Sequence, residues 1–97
     1  MYYVVLFETV FESLDQVMAE APADLAAHVA RSKRLHASGS VLMAGAFVKD
    51  AEADEPLSTM VVCPSREAAE EYIAGDPFVQ RGMVRRWRIR EWRDMFA

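Results

Sequence analysis

Of the side chains that move protons near neutral pH, this chain offers two histidines, His28 and His36. His28 is the better placed. Leu25, His28, Val29, Ser32, Leu35 and His36 recur at helical spacing, while Arg31, Lys33 and Arg34 lie mostly off that stripe. The His28 ring therefore points toward the protein rather than into bulk water, and a half-buried imidazole needs a hydrogen-bond partner. A backbone carbonyl would make it a satisfied core histidine. A carboxylate would fix its tautomer and equip it for general acid–base chemistry.

Asp76 is the carboxylate to consider. It follows Gly75, which ends a helix, and precedes Pro77, so it either closes an Asp-Pro turn or faces the first helix. Ser32, one turn past His28, is a candidate to line a substrate pocket and otherwise packs the helix. Phe78, two residues past Asp76, is a candidate for the same pocket and otherwise core.

Other residues carry weaker signals. Two histidines eight residues apart, without a neighbouring Cys or carboxylate cluster, make a poor metal site, and no metal or cofactor is expected. His36 sits where it can meet the carbonyls at a helix end. The lone Cys63 has no internal disulfide partner and no adjacent base in sequence, so it reads as an inert buried thiol. There is no Gly-rich phosphate loop and no G-x-S-x-G elbow. Arg81, Arg85, Arg86, Arg88, Arg90 and Arg93 crowd the C-terminal end, but the net charge of −4 disfavours nucleic-acid binding.

The elements that must position His28 and Asp76 follow from patterning. Residues 2–7 read as a buried strand. Segment 8–21 shows no clear period. Pro22 opens a helix over 22–38, stopped by Gly39. A second strand runs over 41–48, with Gly45 marking a bulge or a close approach. A charged loop over 49–56 leads to a third strand at 57–63, halted by Pro64. Ser65 caps a helix over 66–74. The last strand, 83–92, places Met83, Trp87 and Ile89 on one face and Arg86, Arg88 and Arg90 on the other.

The order βαββαβ is the ferredoxin-like arrangement of the α+β class, with a four-stranded antiparallel sheet. In it both helices pack on one sheet face, so the loop leaving the second helix comes near the first, which permits a His28–Asp76 contact. The 97 residues, 53% hydrophobic and 27% charged, suit one domain spanning 1–97. The apolar strands show no polar alternation, although helices can cover only one sheet face. Sheet-to-sheet packing of two copies resolves this, so a homodimer is expected, with the arginine-rich strand as an edge. No signal peptide or apolar run of membrane-spanning length occurs, and the default location is cytoplasmic, with no membrane partner.

Helix-borne His28, the strand Val41-Leu42-Met43-Ala44-Gly45, and Asp76-Pro77-Phe78-Val79 followed by Gly82 resemble, in order and spacing, the YCII-related family over nearly the whole chain. Members often carry Arg where this chain has Leu25, and Pro where it has Ala46. The resemblance implies a dimeric α+β barrel with the matched His28 and Asp76 as an active-site dyad. One relative class removes chloride from chlorinated hydroxyquinols, and the fold is shared with muconolactone isomerases and cofactor-free monooxygenases. The expectation is a cofactor-independent enzyme acting by elimination or isomerisation on a small cyclic or aromatic oxygenated compound. The alternative is a non-catalytic small-ligand-binding or assembly module on the same fold.

Overall fold

The computed structural model describes residues 1–48 and 54–96. Its elements are β1 (Tyr2–Thr9), α1 (Leu14–Glu20), α2 (Pro22–Ala37), β2 (Met43–Ala46), β3 (Ser58–Cys63), α3 (Arg66–Gly75), α4 (Pro77–Gln80) and β4 (Val84–Trp92). This is the expected βαββαβ order with two short helices added. The sheet is antiparallel in the order β2-β3-β1-β4, so arginine-rich β4 is an edge, as its alternation implies.

Register assigns each strand residue to a face. Val5 of β1 pairs with Val61 of β3 and Ile89 of β4, and these side chains face the helices. They join Phe7, Val41, Cys63, Ala69, Tyr72 and Ile73 in the main core. A smaller cluster of Phe11, Val17, Ala21 and Phe78 sits beyond the end of β1. The opposite sheet face carries Tyr2, Val4 and Leu6 of β1, Met60 and Val62 of β3, and Met43 of β2, with Arg86, Arg88 and Arg90 along its β4 side. Among the described residues no helix covers that face, and it is apolar over three of its four strands.

Local sequence explains the boundaries. Ser65 accepts from the Ala68 N–H to cap α3, as expected. Gly39 takes φ 85° beyond α2, a left-handed stop that favours glycine. Three readings need correction. Segment 8–21 holds α1, started by Ser13, whose hydroxyl accepts from the Gln16 N–H. Gly45 marks neither a bulge nor a close approach: the β2–β3 register is unbroken, and a Cβ there would meet nothing. The Asp76–Phe78 turn is the entry to α4, with Asp76 as its N-cap. The strand expected at 41–48 is shorter, and of the charged loop, 49–53 lies outside the described residues.

One feature of packing creates the site. α2 rests mainly on α1 and α4, and none of its residues is buried. Val29, on the expected apolar stripe, is exposed, while Leu25, His28, Ser32 and Leu35 are half-buried. The helix stands off the sheet and leaves room beneath it.

Among the described residues, no helix is long and apolar enough to cross a membrane.

Candidate functional site

The space under α2 is a cleft of about 770 Å³. Its walls are mostly apolar, with Leu25 on the helix side, Phe7, Ala44 and Val61 on the sheet side, and Phe78 from α4. Set into them are His28, Ser32, Tyr72 and Thr59. An apolar pocket with a few convergent polar groups is the usual form of a small-molecule site.

The structure brings His28 and Asp76 together. His28 Nδ1 lies 2.6 Å from Asp76 Oδ1, with the histidine side chain 17% exposed and the carboxylate 1%. The other carboxylate oxygen, Oδ2, accepts from the backbone N–H of Phe78 at 3.0 Å and of Val79 at 3.2 Å. Asp76 therefore does two jobs. One oxygen caps α4 and the other holds the imidazole, and the helix cap locks the orientation that the imidazole needs.

The tautomer follows. A carboxylate oxygen only accepts, so Nδ1 carries the proton and donates, and the neutral ring keeps its lone pair on Nε2. His28 lines the cleft, so that lone pair is the basic atom available to a ligand. The ring is held from its faces as well. Phe78 packs on it at 5.0 Å between centroids, and Tyr72 stands edge-on at 6.5 Å.

Ser32 and Phe78 both line the cleft, and Phe78 also belongs to the smaller core cluster. Burial pushes the Tyr72 phenol up to about 12; the nearby Ser32 hydroxyl opposes this, the Asp76 charge adds to it, and Arg31 opposes it. Tyr72 stays a neutral hydroxyl at physiological pH. His36 is exposed and lines the cleft. Cys63 is buried in the core, where desolvation raises its thiol pKa, in keeping with an inert role.

Sequence reasoning missed Tyr72, Thr59 and Arg31. Arg31, set aside as lying off the apolar stripe, spans to the end of α3. Its Nη1 donates to the Tyr72 carbonyl at 2.9 Å and its Nη2 to the Glu71 carbonyl at 2.8 Å. The guanidinium also packs over the Tyr72 ring at 5.7 Å. It sits where a Cβ on Gly75 would be, so glycine there leaves the guanidinium room and is not needed for its backbone angles. This clamp ties α2 to the C-terminus of α3, next to Asp76, and so helps set the His28–Asp76 distance. No local pattern signals this role, because the carbonyls that Arg31 meets belong to another helix. The C-terminal arginines take no part: Arg85 and Arg86 pair with Glu8 near the sheet edge, at 3.7 and 2.8 Å.

Several solved structures share this architecture. One is the 5-chloro-2-hydroxyhydroquinone dehydrochlorinase of Burkholderia phenoliruptrix AC1100, solved with 2,5-dihydroxybenzoquinone. It is 17% identical, covers 96% of this chain and 94% of its own, and superposes with a TM-score of 0.68. Another, described as an antibiotic biosynthesis monooxygenase from Bacteroides thetaiotaomicron VPI-5482, is 19% identical over 98% of this chain and 89% of its own, with a TM-score of 0.55. At these identities the likeness is one of fold, that of the dimeric α+β barrel proteins. No curated protein matches the sequence. The model of the YCII-related domain, however, matches residues 1–93, and the chain belongs to that family.

Proposed function

We propose that the cleft beneath α2 is the active site of a cofactor-independent enzyme. It would carry out elimination or isomerisation on a small cyclic or aromatic oxygenated compound. The observation that carries this reading is the His28–Asp76 pair, whose tautomer leaves Nε2 basic in an apolar cleft. Nε2 takes a proton from a carbon or hydroxyl of the substrate. The electron pair so released either expels a leaving group or shifts a double bond; the imidazolium returns its proton at a second atom in the isomerisation, and passes it to the departing group or to water in the elimination. The Asp76 carboxylate stabilises the imidazolium and keeps the ring in place without itself taking the proton. Ser32 and Phe78 bound the substrate. The dehydrochlorinase named above acts on a chlorinated hydroxyhydroquinone, and a likeness of fold makes such rings a sensible first screen and no more.

His28→Ala tests this. It removes the base while Asp76 keeps its α4 cap, so turnover should fall by about 10²–10⁴ with the fold intact. Full activity in a folded variant defeats the reading. Ligand binding in the wild type with no product from any compound in the screen would favour a binding module instead.

The same proposal includes a homodimer. The uncovered sheet face has Val4 and Val62 buried only by their own neighbours, with Tyr2, Leu6 and Met60 half-buried and Met43 exposed. A second copy packing sheet to sheet would cover these side chains.

A further inference from the structure

The helix-facing side of the sheet is built from large side chains on its inner strands, and β2 departs from that pattern. Val5 of β1 is in register with Val61 of β3, and Phe7 with Thr59. One strand further out, Val61 pairs with Ala44 and Thr59 with Ala46, so both alanines face the helices. Both line the cleft and both stay exposed. Alanine is depleted in strands, where β-branched and aromatic residues pack better. Larger side chains here would also bury more apolar surface. The fold therefore gives no reason for two successive methyl groups on this side of β2.

The size of the ligand supplies one. A cavity of about 150 Å³ is enough for a benzene ring, whereas the cleft has a volume of about 770 Å³. A single ring held at His28 would leave most of that space to water. It would also leave uncovered much of Leu14, Val29 and Leu42, which line the cleft and are 49%, 40% and 42% exposed. The space lies between a helix and a sheet, and Phe7, Tyr72 and Phe78 form part of its wall, a lining that favours flat rings. We propose that Ala44 and Ala46 are specificity-determining residues that set ligand size, and that the ligand is a fused system of two or three rings with an oxygen substituent at the His28 end. This rests on the cleft being the ligand site, as proposed above, and it narrows the ligand class within that reading.

The test measures phenol, 2-naphthol and 4-butylphenol on the wild type, Ala44→Leu and Ala46→Leu. Calorimetry gives affinities, and NMR of the His28 ring reports occupancy of the cleft. The wild type should bind 2-naphthol about tenfold or more tightly than phenol, from the extra apolar surface covered. It should bind 2-naphthol at least as tightly as 4-butylphenol, whose equal number of carbons includes a chain that must be ordered. Each leucine should weaken 2-naphthol about tenfold or more, leave phenol within about threefold, and hold or raise the melting temperature without ligand. If 2-naphthol shifts the His28 ring but both folded leucine variants bind it as tightly as the wild type, the alanines have no such role and the active-site reading survives. A clear preference for 4-butylphenol would overturn the fused-ring class. If both leucine variants lose stability markedly, the space beneath α2 is not open and the proposal falls; if only one does, the other decides. If none of the three compounds perturbs His28 in the wild type, both readings fall.

Discussion

Asp76→Asn separates the two jobs of one carboxylate. Asparagine is close to isosteric with aspartate and is itself a good N-cap, so its side-chain oxygen can keep accepting from the Phe78 and Val79 N–H groups. The amide nitrogen then faces His28. It can only donate, so Nδ1 must accept, and the ring proton moves to Nε2. The flipped amide is disfavoured because it would leave two buried N–H donors without an acceptor, at about 1–3 kcal/mol each. All three hydrogen bonds therefore survive and only their charge assistance is lost, about 1 kcal/mol for each bond and about 3 kcal/mol in total by the difference between charged and neutral bonds. In a domain of this size that lowers the melting temperature by about 12–24 °C. Turnover should fall by about 10²–10⁴, because the basic ring nitrogen now points at the introduced amide rather than into the cleft. Nitrogen-15 NMR of the imidazole reads the tautomer directly and needs no substrate. A folded Asp76→Asn protein whose Nε2 still lacks its proton would refute the account of how this site is oriented.

Three further outcomes follow from the packing. Gly75→Ala should displace the Arg31 guanidinium and cost about 1 kcal/mol, against the gain of up to about 1 kcal/mol that alanine brings at an open helical site; in an Arg31→Met background the same change should become neutral or stabilising, and equal effects in both backgrounds by denaturant titration would exclude the clamp. Tyr72 has a folded-state pKa of about 12 against an ordinary 10, so its neutral form is the one the fold prefers. Its contribution is intact below pH 10 and is lost as the pH rises from 10 to 12, by about 2–3 kcal/mol at 1.36 kcal/mol per unit; Tyr72→Phe should flatten that alkaline limb, and identical limbs in denaturant series would remove the buried phenol as its cause. Sedimentation should find a particle of twice the 11.0 kDa chain, dispersed to monomers by Leu6→Lys on the uncovered face; a wild-type monomer at high concentration would end the dimer proposal.

What could be read in advance was what depends on period and on local caps. The apolar runs placed the four strands, Pro22 and Gly39 bracketed α2, Ser65 started α3, and the alternation of Arg86, Arg88 and Arg90 marked β4 as an edge. The meeting of His28 with Asp76 was also within reach, because the fold order brings the end of the second long helix toward the first. α1 escaped although its signals were present: Ser13 three residues before Gln16, and Leu14, Val17 and Met18 at helical spacing. Its seven residues are too few for a period to stand out against the irregular stretch before it. Asp76-Pro77 was read as a turn, yet the same pair is a common way to open a helix, and only tertiary context chooses between them. Arg31 and Thr59 were not readable at all. The importance of Arg31 lies in carbonyls about forty residues away, and Thr59 stands out only because its hydroxyl has no partner among the described residues; neither leaves a mark on local pattern.

The Arg31 clamp also bears on why the cleft exists. β2 presents Ala44 and Ala46 to the space under α2, side chains too short to reach the helix. Larger residues there would bury more apolar surface and pull α2 down, a gain on the order of 1–3 kcal/mol per side chain filled. The chain instead holds α2 up at its flanks, by the Arg31 clamp on α3, the His28–Asp76 bond, and contacts with α1 and α4. Stability is forgone in two ways at one place: an unfilled cleft and a helix with no buried residue. A ligand occupying that volume would offset both costs together, as the active-site reading requires.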